Sequence, residues 1–386
     1  MKGLREVVVL GVGQTVFGKR RGVSPITMGI EAARAAIEDV GAGFNAKMLE
    51  CVYASRSRED TQTAENIMQF LGVANLEMHN TENACASGGG AVNLLWKDIA
   101  YGVHDIGIAI GTESMTSEKP GLVGVADGDL AGTLGFTMPA LAGLCCNLLI
   151  EQCGCTLEDI AYPSIKNHRN AVLNPYAMYK KEITFEDVMK SKVISDPLRT
   201  LHCCPVTDGA AAVILCTPEI ARKFTTKLVK IAASHVLSAP FEQWDDDILD
   251  TQVMMDLADL CYADSGFGPE DMGIIELHDA FSCEEIYATR CLGLCRPGDE
   301  RKLIHDGVLE RTGKHPINVS GGLQSLGHPL GASGVRVVAE VASQLRGTAG
   351  ARQLESRPTV GLAQMIGGYL TGLTTPAVGS MHILSI

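Results

Sequence analysis

At 386 residues, the chain is long enough for a large core and for two or three domain-sized units. Its 46% hydrophobic and 20% charged residues are ordinary for a globular protein, and its 42 glycines follow no short repeat, which excludes a collagen-like or low-complexity chain. A net charge of −13 excludes a nucleic-acid surface, which needs clustered Lys and Arg, but not a polyanionic small ligand held by a few local cations or helix N-termini.

Met1-Lys2-Gly3-Leu4-Arg5 runs straight into Val7-Val8-Val9-Leu10, without the charged start, apolar stretch and cleavage site of a secretory leader. From there the pattern predicts a strand over Val7–Val12, a helix over Thr27–Val40, a strand over Leu49–Ala54 and a helix over Ala64–Leu71. A helix at Gly88–Val103 and a strand at Ile106–Thr112 follow. Further strands are expected at Ala210–Leu215, Leu228–Val236, Ile274–His278, Pro316–Val319 and Val360–Ile366, with a helix at Gly331–Gln344 before the last. This alternation argues for α/β layers around buried sheets. No apolar run has the ~18 uncharged residues of a membrane span. Thirteen cysteines without an export signal read as reduced thiols, so a cytoplasmic protein is expected.

The order of elements in Glu31–Gly72 echoes that in Asp256–Gly293. Each half then puts a glycine-rich loop before a helix: Asn83-Ala84-Cys85-Ala86-Ser87-Gly88-Gly89 in the first, Gly327-His328-Pro329-Leu330-Gly331-Ala332-Ser333-Gly334 in the second. A duplicated fold with the site between its halves is expected. The irregular stretch in the middle, rich in Gly, Pro, Asn and Tyr, reads as an inserted loop domain over 119–194. The first half then comprises 1–118 and 195–225, and the second 226–386.

Three places carry chemistry. Cys85 lies among small residues at a helix start, where the helix's positive end favours a thiolate and a backbone N–H is open to a substrate oxygen. By its local text alone it reads equally well as an inert buried thiol. His328, on its glycine-rich loop, has the chemistry of a base for a thiol or a donor to an oxyanion, although such a His alone is more often structural. His278 and Asp279 end a strand, where α/β proteins place ligand chemistry, and a packed His with a capping Asp is the competing reading.

Together, the Cys85 block, His278-Asp279-Ala280-Phe281 and the His328 block resemble the thiolase superfamily in order and spacing, over nearly the whole chain. Lys166-Asn167-His168-Arg169-Asn170 and Asp208-Gly209-Ala210-Ala211-Ala212 resemble the branch related to sterol-carrier-protein-type and archaeal thiolases. The resemblance implies a five-layer α-β-α-β-α fold and a homodimer. It assigns Cys85 as the acyl-accepting nucleophile and His328 as its activating partner. His278 would serve the oxyanion hole for the enolate, and the backbone N–H groups of Cys85 and Gly367 the hole for the acyl-enzyme carbonyl. Coenzyme A is the implied substrate and product, with acetoacetyl-CoA and benzoylsuccinyl-CoA as acyl substrates that suit the branch. A small partner subunit with a zinc ribbon and an oligonucleotide-fold domain is also implied. Transfer from Cys85 to a non-CoA carbon nucleophile, or a non-catalytic acyl-binding or scaffold subunit, are the alternatives.

The chain departs from the family at both usual proton carriers. Met365 stands in the C-terminal stretch where thiolases carry a second cysteine, and Ala280 stands where sterol-carrier-type relatives have one. Cys283, His278, the substrate or a water is left to move the proton. Among weaker signals, Cys145, Cys146, Cys153, Cys155 and Cys203-Cys204 lack a paired Cys-x-x-Cys pattern, so no metal is expected in this chain. Gly11-Val12-Gly13-Gln14-Thr15 lacks the third glycine of a dinucleotide loop. Trp244-Asp245-Asp246-Asp247 reads as a solvated acidic loop. Arg169, Lys180 and Lys181 are the candidate cations for the CoA phosphates.

Overall fold

The computed structural model describes residues 3–57, 61–117, 130–240, 248–369 and 376–386, so the acidic loop at Trp244–Asp247 lies outside the described residues. The first half runs β1 (Val8–Gln14), α1 (Pro25–Val40), β2 (Cys51–Ser55), α2 (Thr63–Phe70), β3 (Glu77–Thr81), α3 (Ser87–Tyr101) and β4 (Ile106–Ser114). Helices α4 (Leu130–Thr133), α5 (Met138–Cys153), α6 (Leu157–Ala171) and α7 (Phe185–Lys190) follow, then the hairpin of β5 (Val193–Ser195) and β6 (Leu198–Arg199), and β7 (Asp208–Cys216). The chain continues through α8 (Pro218–Ala221), β8 (Val229–Ser238), α9 (Gln252–Ser265), β9 (Ile275–Glu276), α10 (Ser282–Cys291), α11 (Glu300–His305), α12 (Leu330–Arg346), β10 (Val360–Tyr369) and β11 (Pro376–Ser385).

Nine strands form one sheet in the order β3-β2-β4-β7-β1-β8-β11-β10-β9. The order is a mirror image about β1 and β8, which meet through only Val8–Lys230 and Val9–Val229. Numbered within its own half, the first runs 3-2-4-5-1 and the second 1-5-4-2. The third place of the second half belongs to Ile317, which bridges Ile275 in parallel. The strand expected at Pro316–Val319 is thus cut to one bridge. Asn318 turns left-handed there (φ 53), accepts from the Leu277 N–H and donates to Glu285, which ends the ladder.

In each half the third-to-fourth connection is a central helix. α3 packs on β2, β4 and β8, α12 packs on β4, β7 and β10, and the two helices pack on each other. α1 covers the far side of β1, β7 and β4, while α9 covers β8 and β11. The layers therefore run helix, sheet, helix, sheet, helix, as expected. The glycines of the Gly11-Val12-Gly13 motif let β1 lie on α1. A Cβ at Gly11 would come 2.3 Å from Ala36 O, and one at Gly13 2.3 Å from Ala32 O.

The stretch that reads as irregular holds regular helices. α5 buries Leu141, Ala142, Cys145, Cys146, Leu149 and Cys153, so its cysteines act as small hydrophobes in the core. α6 starts with a capping box between Thr156 and Asp159. Strand β3 escapes sequence reading because Glu-Met-His-Asn-Thr has no apolar alternation. Among the described residues, no helix is long and apolar enough to cross a membrane.

Candidate active site

Cys85 sits in a tight turn, Ala84–Ala86, directly before α3. Ala84 is left-handed (φ 48), a costly conformation for a residue with a side chain. The turn is pinned on both sides of it. Ser87 Oγ donates to Ala84 O at 2.5 Å and accepts from the Asn83 N–H at 2.8 Å, and the Ala84 N–H donates to Glu82 Oε1 at 2.6 Å. β10 passes behind the turn at Gly367, where a Cβ would lie 2.4 Å from Asn83 O and 3.0 Å from Cys85 N. Glycine is therefore required for the backbone of β10 to touch the Cys85 turn.

The two glycine-rich blocks meet because α3 and α12 cross at their N-termini. A Cβ at Gly334 would be 2.2 Å from Gly89 N, and one at Gly88 2.6 Å from Val335 N. This crossing brings the Cys85 turn and the His328 loop together.

His328 follows Gly327, itself at φ 111. Its Nδ1 lies 2.8 Å from Ser333 Oγ, and that hydroxyl gives its proton to Pro329 O at 3.0 Å. A serine has one proton, so Ser333 accepts from Nδ1–H, and the lone pair of the neutral ring is on Nε2. Burial, followed by the charges of His278 and Arg336, pushes this imidazole well below its ordinary range. His328 is thus favoured as a neutral ring with its lone pair on Nε2.

His278 lies just past β9, with its N–H donated to Gln364 Oε1 at 3.2 Å. Its Nδ1 is 3.0 Å from Glu284 Oε2 on the first turn of α10. Burial alone would lower this ring, but the Glu284 carboxylate and Cys85 outweigh it and raise the pKa to about 10. His278 therefore donates Nδ1–H to Glu284, and that carboxylate together with the Cys85 sulfur favours its protonated form. The two rings meet edge to face, centroids 5.2 Å apart. Both Nε2 atoms are buried without a hydrogen-bond partner. The Cys85 sulfur and a nitrogen of each ring lie within 4.8 Å of one another. These donors are also spaced to hold a metal ion. A second Cys–Asp–His group, Cys51, Asp98 and His104, lies elsewhere.

Asp279 does not face this space. It accepts from Leu323 N at 2.6 Å and Asn167 Nδ2 at 2.8 Å, tying the His278 strand end to the loop that carries His328. The Lys166–Asn170 block completes this buried base: Lys166 pairs with Glu285 at 3.0 Å, and Asn170 donates to Asn318 O at 3.2 Å. Its neighbour Glu276 pairs with the fully buried Arg336 at 2.6 Å.

Comparison with known proteins gives the family. The family described as thiolase, N-terminal domain matches residues 7–219, and the one described as thiolase C-terminal domain-like matches residues 238–379. The chain belongs to the thiolase family. It is similar to an acetyl-CoA acetyltransferase from Methanothermobacter thermautotrophicus, 36% identical over 99% of this chain and 100% of that one. It is also similar to the benzoylsuccinyl-CoA thiolase subunit BbsB of Thauera aromatica, 35% identical over 95% of this chain and 96% of that one. Its fold matches that of a solved Ltp2-ChsH2(DUF35) aldolase with a TM-score of 0.84, at 24% identity over 98% of this chain and 97% of that one. Family membership makes the chain an acyltransferase enzyme that works on CoA compounds.

In this thiolase, Met365 is wholly buried and Ala280 offers only a methyl group. Cys283 is fully buried on α10, with Sγ donating to Ala142 O at 3.6 Å. Arg169, one of the expected CoA cations, is paired with Glu310. Lys180 donates to Pro175 O at 2.6 Å within its own loop, and Lys181 is exposed. Sequence reading missed Glu284 and Ser333, which set the opposite charge states of the two imidazoles. Ser333 was visible inside the glycine-rich block, whereas nothing in the text marks Glu284 as the partner of His278.

Proposed function

We propose that this thiolase cleaves or forms a 3-oxoacyl-CoA through an acyl-enzyme on Cys85. The observation that carries the reading is the pair of buried, unpartnered Nε2 atoms beside the sulfur. Orphaned polar atoms at a buried site destabilise a fold and are retained where a reacting group will meet them. That weighs against a non-catalytic scaffold. Neutral His328 takes the Cys85 proton, and the thiolate attacks the 3-oxo carbon. The carbon–carbon bond breaks, and the His278 cation donates Nε2–H to the enolate oxygen. The N–H groups of Cys85 and Gly367 stabilise the acyl-enzyme carbonyl as it is attacked. Free CoA then removes the acyl group.

The two relatives point to acetoacetyl-CoA and benzoylsuccinyl-CoA as the first substrates to try. On this reading 119–194 is a loop domain covering the substrate, between a first half of 1–118 with 195–225 and a second of 226–386. The protein works in the cytoplasm as a homodimer joined by a small partner subunit, which the subunit status of BbsB supports. Incubation with each 3-oxoacyl-CoA, followed by peptide mass spectrometry, tests the reading. Acyl mass on Cys85 is expected; acylation of another cysteine overturns it.

A further inference from the structure

The proposed cycle needs a proton at C2 of the departing acyl-CoA enolate, and both imidazoles are committed elsewhere. His328 is the base for Cys85, and His278 keeps its proton because a neutral ring would leave the Glu284 carboxylate without its cation. A third titratable group stands on the segment that pairs with the strand end after His278. Cys203 and Phe281 form an antiparallel bridge, and the Cys204 N–H donates to Ala280 O at 2.8 Å. Cys204 therefore stands directly opposite Ala280, and opposed residues of an antiparallel pair send their side chains to the same face. Cys203 leaves by the other face, its Sγ on Arg199 O at 3.4 Å. The small methyl of Ala280 leaves room for the sulfur across from it. Cys204 is a free cysteine at the margin of the core, whereas Cys145, Cys146 and Cys283 lie wholly within it. The groups that act on it electrostatically are Cys203, Glu284, Cys85 and Asp279. The unpartnered Nε2 of His278 marks the same space as one kept for a reacting group.

We propose that Cys204 is the acid–base residue that exchanges a proton with C2 of the acyl-CoA, a role that rests on the thiolase cycle above. In cleavage, Cys85 Sγ bonds to the 3-oxo carbon and the C2–C3 electron pair becomes the enolate. Cys204 S–H then gives its proton to C2. The resulting thiolate takes the thiol proton of the incoming CoA, whose sulfur displaces the acyl group from Cys85 and restores both cysteines. Burial, reinforced by Cys203 and Glu284, holds the Cys204 thiol well above its ordinary range, so it stays protonated until the more basic enolate forms.

The test follows deuterium incorporation at C2 of acetyl-CoA and succinyl-CoA in heavy water by NMR, and acylation of Cys85 by mass spectrometry. Cys204→Ala should lower exchange by roughly 100-fold or more while Cys85 is still acylated. Cys204→Ser, nearly isosteric, should do the same and serves if the alanine variant does not fold. The double variant Cys204→Ala/Ala280→Cys returns a thiol to the same face from the opposite strand and should largely restore exchange. Exchange that survives in both single variants, or that the double variant fails to recover, overturns the role of Cys204. Wild-type protein that exchanges C2 but never acylates Cys85 overturns the thiolase cycle instead.

Discussion

At the scale of single residues, the site separates two chemically identical side chains by what each Nδ1 meets. Ser333 accepts a proton bond and leaves His328 neutral, while Glu284 supplies a charge and keeps His278 cationic. Replacing His328 by Ala should lower kcat by roughly 100- to 10,000-fold, the usual contribution of a general base, as single-turnover acylation kinetics would measure. The pH dependence follows from the two directions. His328 is depressed, so its basic form persists below the ordinary imidazole range. His278 is raised to about 10, so its donor proton is kept through neutral pH and lost as pH rises through that value. kcat/KM should therefore be flat across neutral pH and fall on an alkaline limb. In Glu284→Gln, burial prevails and that limb moves to lower pH; a pH–rate profile whose limb stays in place would show that Glu284 does not hold the proton. Both histidines are legible in the sequence as motif members. Their opposite charge states are not, because each is set by a neighbour whose side chain carries no mark of that task.

Elements bring these residues together through glycine. α3 and α12 cross so closely that a methyl group at Gly334 would lie 2.2 Å from a backbone nitrogen, which cannot move aside as a flexible side chain can. Gly334→Ala should therefore cost roughly 1–3 kcal/mol or more of stability, read from denaturant unfolding, and lower turnover by shifting Cys85 away from His328. Gly18, where an added Cβ meets nothing within 4 Å, is the control, and Gly18→Ala should unfold close to the wild-type midpoint. The sequence displays both glycine runs at the starts of predicted helices but gives no sign that they meet. That they are the contact surface of two helices from different halves is a tertiary fact. The same holds for Asp279, whose place beside His278 invites a catalytic reading and whose carboxylate instead holds the loop at Leu323.

For the whole molecule, the net charge of −13 sets the question of how a polyanionic substrate is received. Of the expected cations, Arg169 is paired with Glu310 and Lys180 donates within its own loop, while Lys181 is exposed. A partner subunit that covers this segment would add to them. The apparent KM for an acyl-CoA should then be higher for the isolated chain than for the complex purified with its native neighbours, with Cys85 alkylation by iodoacetamide little changed. Equal KM values and equal turnover for the two preparations would dispose of the partner.

The sequence by itself determined the alternation of strands and helices, the duplicated halves and the three blocks that carry Cys85, His278 and His328. Those are local or repeated features, fixed by periodicity, small residues at helix starts and the order of motifs along the chain. Only the tertiary structure decided that the middle segment is helical, that Pro316–Val319 shrinks to one bridge, and that Cys204 stands across from Ala280. It also decided which neighbour each imidazole meets, Ser333 for His328 and Glu284 for His278. The reason is the same in each case: a burial environment and a charged or bonded neighbour come from chain segments far apart in sequence, and a one-dimensional pattern records order without recording who meets whom.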